Sequence, residues 1–363
     1  MINWSETAKK NIEIGKMIFE NHPEQYTEKR VLGFKKDLNR IMPNADQCDI
    51  ENVFYHSVYD YWVHGNSLRE DVFYHFAEKS EVEKEEYITF RNRFNYYNYL
   101  NESSREILFK KKYETFKVFK KWYSRDVIEI ESEEDYDKFI EFASKHKTFF
   151  VKPESLGLGI GVHKFEVKNE DYKNAFSQIL SESGISKAES WAIGCKVVLE
   201  EPIIQTDNMA AFHPSSVNMI RLTTVFVDDE VKFLDAWLRV GMNGSDIAAA
   251  AEGEIYCGVN IDTGEVETNG YTEFGDVFER HPNTGIVFKG YKIDCWNEML
   301  SMGKELAQVI PEVRYIGWDL ALTENGWVII EGNENGEFLG QLIYEKPYRK
   351  EFEKLINYSK RKL

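Results

Sequence analysis

The stretch GWDLALTENGWVIIEGNENGEF, residues 317–338, contains two apolar runs separated by a turn. Asp319 lies in the first run, and Glu331 and Asn333 end the second. The sequence between the runs, Glu324-Asn325-Gly326, is typical of a tight hairpin turn. Folding the chain back at this turn would bring the three polar side chains to a common place, with Glu331 and Asn333 on one face of their strand.

Two carboxylates and an amide oxygen in this arrangement form a hard-oxygen site suited to Mg²⁺, which retains water and also binds phosphate oxygens. The alternative is a pair of acids flanking a surface hairpin. We favour the metal site because Asp319 and Glu331 interrupt otherwise apolar strands, where an unpaired charge would be costly. The predicted metal ligands are therefore Asp319, Glu331 and Asn333.

A glycine-rich segment lies upstream, in FFVKPESLGLGIGVHKF at residues 149–165. An apolar strand ends in Lys152, and Gly157, Gly159 and Gly161 alternate before a second strand begins. Glycines let backbone N–H groups approach phosphates, and the lysine supplies a positive charge. The segment is neither a Walker A motif nor a dinucleotide fingerprint. Taken alone it is better explained as a structural hairpin, and only its neighbours give weight to phosphate binding.

Those neighbours are KVVLEEPII at residues 196–204 and two strands that each contain an arginine. The strand that ends in Glu200 and Glu201, followed by Ile203, could present backbone groups and an acid to an adenine ring or a ribose. Arg221 and Arg239 lie within the apolar strands VNMIRLTTV and DAWLRVG. A half-buried arginine requires an anion, which is either a phosphate or an internal carboxylate, and we favour phosphate.

Composition excludes several classes of protein. The 363 residues include 45 basic and 62 acidic side chains, for a net charge of -17, so nucleic acid is a poor candidate partner. No segment approaches the roughly 20 apolar residues needed to span a bilayer. The four widely spaced cysteines, at positions 48, 195, 257 and 295, suit neither a zinc knuckle nor a disulfide scaffold, and we expect reduced thiols in the cytoplasm.

Periodicity predicts an α+β protein with a helical N-terminal region. Residues up to about Asn101 read as helices, followed by a helix over Glu106 to Trp122 and then short strands alternating with helices. Among the predicted strands are Val127 to Ile130, Thr148 to Lys152, Met219 to Val227 and Gly258 to Asn260. Aromatic residues around YDYWVHGNS, residues 59–67, could line a pocket, although packing between helices is the commoner explanation.

The order of these parts resembles the ATP-grasp superfamily, in its sugar-transfer-associated branch related to α-L-glutamate ligases. The segments that carry the resemblance are KKKYETFKVFKKWYSRDVI, FFVKP, HPSSVNMIRLTTV, HPNTGIVFKG and YIGWDLALTENGWVIIEGN. It covers about Asn101 to Ile343 and, more weakly, YDYWVHGNS. The resemblance implies two α+β lobes that clamp ATP: a helical region over residues 1–105, a lobe with the glycine-rich loop over 106–200, and a lobe with the metal site over 201–363.

The resemblance also implies a role for each matching residue. Lys112 and Lys152 would hold the ATP phosphates, Glu200 and Ile203 the adenine, and the three hairpin residues Mg²⁺. Arg221 and Arg239 would bind the γ-phosphate or an acyl phosphate. Independently of the resemblance, the loop of HPNTGIVFKG, with His281, Thr284 and Gly285, is the candidate wall of a substrate site, because a glycine-bearing loop can approach a ligand with its backbone.

The activity implied is ATP-dependent joining of a carboxylate to an amine through an acyl phosphate. The substrates would be small molecules, an amino acid or amine and a sugar-related compound of surface polysaccharide synthesis. Two alternatives stay open: a phosphotransferase that stops at the phosphorylated product, and a nucleotide-binding protein without activity. The last is suggested by SDIAAAAEGEIYCGV, residues 245–259, where many relatives carry Asp-Asn and then Gly-Gly. Substrate identity and oligomeric state are not readable from the sequence.

Overall fold

The two apolar runs of residues 317–338 form one antiparallel hairpin in the computed structural model, which describes residues 4–157, 159–183, 196–244 and 253–358. Its strands, Tyr315–Thr323 and Gly326–Asn333, are joined by the predicted turn, and Thr323 is paired with Gly326 across it. Eleven strands fall within the described ranges: β1 (Val127–Ile130), β2 (Thr148–Pro153), β3 (His163–Glu166), β4 (Val197–Glu200), β5 (Met219–Val227), β6 (Glu230–Gly241), β7 (Glu254–Gly258), β8 (Gly270–Tyr271), β9 (Val277–Phe278), β10 (Tyr315–Thr323) and β11 (Gly326–Asn333).

The same ranges contain fourteen α-helices: α1 (Glu6–Asn21), α2 (Glu28–Ile41), α3 (Gln47–Val63), α4 (Leu68–Phe73), α5 (Glu81–Lys84), α6 (Arg93–Leu100), α7 (Ser103–Glu106), α8 (Lys112–Phe119), α9 (Tyr136–Lys145), α10 (Tyr172–Ser183), α11 (Asp207–Ala210), α12 (Trp296–Ala307), α13 (Gly340–Ile343) and α14 (Arg349–Leu355). The α+β class and the helical N-terminal region are therefore as predicted. Within these ranges, every helix is too short or too polar to span a lipid bilayer.

The chain divides into two compact units. The first contains Met1–Leu100, Tyr271–Val277 and Glu337–Leu363, and the second contains Asn101–Gly270 and Phe278–Gly336. In the first unit, Tyr96 and Tyr97 are buried and pack against Phe338 of the C-terminal segment. Aromatic packing between helices thus accounts for these two tyrosines.

The second unit contains a four-stranded sheet of order β1-β4-β2-β3 and most of a seven-stranded sheet of order β11-β10-β5-β6-β7-β8-β9. All register-defined pairings are antiparallel. In the β5–β6 hairpin, Asp228 and Asp229 both adopt positive φ, 54° and 59°, which a two-residue type I′ turn requires.

Alternation along the large sheet separates its two faces. Ile220, Leu222, Leu238, Trp318 and Leu320 belong to one hydrophobic core. Residues one position away in the sequence, among them Arg221, Arg239 and Asp319, must lie on the opposite face. Burial of the first set therefore fixes the register that presents the second.

Two predicted boundaries are wrong. The helix predicted over Glu106 to Trp122 is interrupted, because α7 ends at Glu106 and α8 begins at Lys112. Lys112 consequently lies at a helix N-terminus rather than within a helix. The strand predicted at Gly258 to Asn260 instead covers Glu254–Gly258, where Ile255 and Cys257 are buried in the core and Glu254 and Tyr256 alternate with them.

Gly332 offers a test of how tightly the hairpin is packed. A Cβ atom there would lie 2.9 Å from the Trp318 ring and 3.0 Å from the Phe109 ring, both of them buried. Gly332→Ala should lower the free energy of unfolding by about 1–3 kcal/mol, since overpacking a filled core forces rings or backbone to move. Urea unfolding measures the loss. Gly157→Ala is the matched control, because no atom lies within 4 Å of its added Cβ. Equal stability of Gly332→Ala and wild type would contradict the packing described.

Candidate active site

Asp319 is the centre of a buried charge network on the large sheet. It is 1% exposed and is the cross-strand neighbour of Arg221. The Arg221 Nε donates to Asp319 Oδ1 at 2.6 Å, and its Nη2 donates to Oδ2 at 3.0 Å. Burial alone would raise the pKa of Asp319, but Arg221 and Arg239 outweigh that effect and lower it. The carboxylate is therefore held ionised by two planar, permanently charged partners.

Arg239 connects Asp319 to a second carboxylate. Its Nη1 donates to Asp319 Oδ2 at 3.0 Å, and its Nη2 donates to Glu254 Oε1 at 2.7 Å. The Tyr256 hydroxyl also donates to Glu254 Oε1, at 3.0 Å. The anion that pairs with each strand arginine in this structure is thus an internal carboxylate, the alternative that the sequence had left open.

The other predicted metal ligands lie beside Asp319. Glu331 is its cross-strand neighbour on β11, and the Asn333 amide lies 3.4 Å from Glu331 Oε1 and 3.4 Å from the Gly317 carbonyl oxygen. Glu331 and Asn333 are partly exposed. The hairpin thus brings together two carboxylates and a carboxamide, a set of donors that fits Mg²⁺.

A second charged group lies on the small sheet. The Lys152 Nζ and the Arg125 Nη2 each lie 2.8 Å from Glu200 Oε2, and Glu200 is 4% exposed. Burial alone would raise the pKa of Glu200, but Lys152 and Arg125 outweigh it and lower the pKa to about 2. Arg125 also donates to the Ile329 carbonyl at 2.6 Å, so this one side chain bonds to both sheets.

Lys112 relates these groups to one another. Its backbone N–H donates to the Glu154 carbonyl and its Nζ donates to the Leu156 carbonyl, both at the start of the glycine-rich segment. The pKa of Lys112 is lowered, chiefly by burial and in addition by the positive charge of Lys152. The carboxylates of Glu331 and Glu200 partly offset this effect. Lys112 therefore interacts electrostatically both with Lys152, the other predicted phosphate-binding lysine, and with the predicted metal ligand Glu331.

The glycine-rich segment turns tightly before β3. Gly159 and Gly161 have backbone φ angles of 73° and 74°, values that residues other than glycine rarely adopt. A Cβ on Gly161 would also lie 2.8 Å from the Pro153 ring. Gly157 has neither constraint, and Leu158 lies outside the described residues.

Among the predicted adenine residues, Glu200 pairs with Lys152 and Arg125, whereas Glu201 is partly exposed. The Glu201 carboxylate accepts the Asp126 N–H at 3.0 Å, and Ile203 is partly exposed. Their assignment to adenine stays a prediction.

The predicted substrate loop is held by His281. This residue is 1% exposed, and its Nε2 lies 2.9 Å from the Gly241 carbonyl oxygen. Its Nδ1 accepts the N–H groups of Asn283 and Thr284 at 3.4 Å each, which fixes the proton on Nε2. Thr284 and Gly285 are exposed, with Gly285 at φ 73°. The exposed pair could meet a ligand, and the His281 ring positions the turn.

Sequence reasoning missed Arg125 and Glu254. Arg125 lies two residues before β1, and its partner Glu200 is 75 residues away in the chain. Glu254 and Tyr256 share the face of β7 opposite the buried Ile255 and Cys257, a pattern that could have marked Glu254 as facing Arg239. The unusual SDIAAAAE run, residues 245–252, lies outside the described residues.

Glu154 provides a pH test of this region. Burial, with nearby Glu129, raises the pKa of Glu154 to about 7. A carboxyl whose folded pKa lies above its unfolded value stabilises the fold at low pH, and this contribution is lost as pH rises through the folded pKa. Glu154→Gln should therefore raise the free energy of unfolding at pH 8 by about 1–3 kcal/mol and change it little at pH near 4.5.

Urea unfolding at both pH values measures this difference. The exposed Glu141→Gln is the control and should show no such pH-dependent gain. The same stability difference for Glu154→Gln at both pH values would show that its ionisation has no part in stability.

Comparison with known proteins finds a family model that matches most of the chain. Residues 91–356 match the model of the sugar-transfer associated ATP-grasp family. No curated protein sequence matches the chain significantly. The chain is similar in structure to the D-alanine-D-alanine ligase of Helicobacter pylori, with 15% identity, 69% of this chain and 61% of that chain covered, and a TM-score of 0.41.

Two further solved structures are similar to a comparable degree. D-alanyl-alanine synthetase A of Vibrio cholerae has 11% identity, 66% of this chain and 65% of that chain covered, and a TM-score of 0.38. The N5-carboxyaminoimidazole synthetase of Staphylococcus aureus, complexed with ADP, has 12% identity, 69% and 52% coverage, and a TM-score of 0.41. The alignments thus span about half to two thirds of those chains. On the evidence of the family model, which matches most of its length, the chain belongs to the sugar-transfer associated ATP-grasp family and has the ATP-grasp fold.

Proposed function

We propose that this protein is an ATP-dependent carboxylate–amine ligase that acts through an acyl phosphate. The observation that carries the proposal is a group of charged side chains on one sheet face, formed by Asp319, Glu331, Arg221 and Arg239. Lys112 interacts electrostatically with Glu331 and with Lys152. Such a site offers oxygen donors to a divalent cation and positive charges to phosphates.

Each predicted residue then has a role in the proposed reaction. Lys112 and Lys152 offset phosphate charge beside the glycine-rich loop, and Glu200 with Ile203 borders the adenine. Asp319, Glu331 and Asn333 would hold Mg²⁺, which when bound neutralises phosphate charge and positions the phosphoryl group for transfer.

The chemistry proceeds in two displacements. A substrate carboxylate oxygen attacks the γ-phosphorus, the bond to the bridging oxygen breaks, and ADP leaves. The amine then attacks the acyl carbon, phosphate leaves with the bonding electron pair, and the nitrogen loses a proton. Positioning and charge neutralisation by the arginines and lysines supply the catalysis, so no protein nucleophile is required.

Water has to be excluded while the acyl phosphate exists, because it hydrolyses. We propose that the glycine-rich loop closes over the phosphates. The Lys112 Nζ donates to the Leu156 carbonyl of this loop. We propose further that the substrates are an amino acid or amine and a sugar-related carboxylate or amine, handled in the cytoplasm during surface polysaccharide synthesis. Thr284 and Gly285 would form part of the substrate wall.

Lys152 tests nucleotide binding. Lys152→Ala should weaken MgATP affinity about tenfold or more, since a positive charge beside the phosphates is worth at least about 1.4 kcal/mol. Isothermal titration measures the affinity, and thermal unfolding confirms that the variant is folded. Lys145→Ala is the matched control, because Lys145 is exposed and pairs only with exposed Glu141 among the described residues. Unchanged affinity in Lys152→Ala would remove Lys152 from the nucleotide site.

Hydroxylamine trapping separates a ligase from a phosphotransferase. A panel of amino acids and sugar acids is incubated with MgATP, enzyme and hydroxylamine, and products are identified by mass spectrometry. The ligase mechanism predicts a hydroxamate of one carboxylate, formed together with ADP. A stable phosphorylated hydroxyl compound and no hydroxamate would instead establish the phosphotransferase alternative. MgATP binding without any turnover across the panel would favour the inactive alternative.

A further inference from the structure

The N-terminal unit contains a second group of buried polar side chains, remote in sequence from the nucleotide residues. His56 and Asp60 lie four residues apart on α3 and therefore share one face of that helix. Asp71 lies on α4. None of the three is more than 2% exposed. Two carboxylates in so enclosed a place are costly unless a positive charge lies between them.

The distances within this group are those of donor atoms around one ion. The His56 Nδ1 lies 3.2 Å from Asp60 Oδ2 and 3.3 Å from Asp71 Oδ1. One atom from each residue lies within 4.8 Å of the others. Donors bonded tetrahedrally to a cation at about 2.0–2.1 Å are about 3.3–3.4 Å apart. The His56 ring thus lies at the separation from both carboxylates that a shared metal ion would impose.

The outer oxygens of both carboxylates are already hydrogen-bonded. The Lys84 Nζ, itself 1% exposed, donates to Asp60 Oδ1 at 3.0 Å. The Ser57 hydroxyl donates to Asp71 Oδ2 at 2.7 Å. One oxygen of each carboxylate is therefore fixed by a neighbour, and Asp60 Oδ2 together with both Asp71 oxygens lies 3.2–3.3 Å from the His56 Nδ1. Supporting groups of this kind orient the ligands of metal sites.

The inner oxygen of Asp60 is the decisive atom. Among the described residues, Asp60 Oδ2 has no hydrogen-bond partner, although the side chain is fully buried and lies at ion-pair distance from the His56 ring. A buried acceptor left in this state is rare and calls for an unseen partner. Lys84 bonds to one of these carboxylates, Asp60, and is shared with Glu81 at 3.2 Å.

We propose that His56, Asp60 and Asp71 bind one divalent transition-metal ion of the zinc class. Imidazole and carboxylate donors together suit Zn²⁺ better than Mg²⁺ or Ca²⁺, which prefer oxygen alone. Because the group is closed to solvent, the ion has a structural role. It joins α3 to α4 and neutralises the buried carboxylates.

A second histidine–carboxylate group supplies a control. Asp126, His146 and Glu201 also place donor atoms within 4.8 Å, but they are partly or fully exposed. The His146 Nε2 forms a 2.8 Å contact with Asp126. Nothing else at this surface points to an ion, and exposed groups of this kind are adequately solvated by water.

The test is the metal content of the full-length protein, purified without chelator from zinc-supplemented medium and dialysed. Mass spectrometry of the elements should find about one zinc per chain. His56→Gln should lower that content at least fivefold, whereas His146→Gln should leave it unchanged. Asp319→Asn should also leave it unchanged, which separates this ion from any cation at the nucleotide site. Removal of zinc from wild type by chelator should lower its melting temperature, and ZnCl₂ should restore it.

Binding of cobalt keeps the test decisive if His56→Gln does not fold. Addition of CoCl₂ to the chelator-treated wild-type protein should produce visible d–d absorption that ZnCl₂ abolishes. A folded wild-type protein with less than about a tenth of an equivalent of any transition metal, and no cobalt spectrum, would overturn the proposal. So would zinc that survives in folded His56→Gln but is lost in His146→Gln or Asp319→Asn. The buried group would then be a hydrogen-bond network that shares protons.

Discussion

The candidate active-site face depends on one interaction, the double pairing of Asp319 with Arg221 and Arg239. A buried carboxylate can stay ionised only where positive charge and hydrogen bonds replace water, and these two arginines supply both. Three neighbouring strands, β10, β5 and β6, must therefore keep one register. The hydrophobic core on the other face of the sheet enforces that register, so apolar packing and charge placement stabilise each other.

This pairing also sets the cost of binding a ligand. A cation that takes an oxygen of Asp319 competes with arginine donors, and a phosphate that takes an arginine competes with Asp319 or Glu254. Under the proposed function, MgATP would bring both charges together, so that Asp319 would gain the cation and a displaced arginine would gain a phosphate. The arginines that balance Asp319 in the structure described would then be available to the phosphates. Neither the cation nor a phosphate alone satisfies all of these side chains.

Much of the fold could be predicted from the sequence, because its strongest signals are local. The runs around the Glu324-Asn325-Gly326 turn, the strand at Val127–Ile130 and the glycine-rich segment follow from periodicity and turn chemistry. The break in the helix before Lys112 could not be predicted, because the residues that precede it have ordinary helical composition. The break occurs where the Lys112 N–H bonds to the carbonyl of Glu154, which is distant in the chain. Arg125 and Glu254 were missed for the same reason. Their importance comes from partners that only the folded chain brings near.

The most direct measurement of this account is a crystal structure of the full-length protein with Mg²⁺ and a non-hydrolysable ATP analogue. The account predicts a cation coordinated by Asp319, Glu331 and Asn333, with Lys112 and Lys152 on the phosphates and at least one of Arg221 and Arg239 turned from its carboxylate toward the γ-phosphate. A nucleotide bound elsewhere would contradict it. So would a cation at the phosphates that is beyond water-bridged distance from all three hairpin side chains.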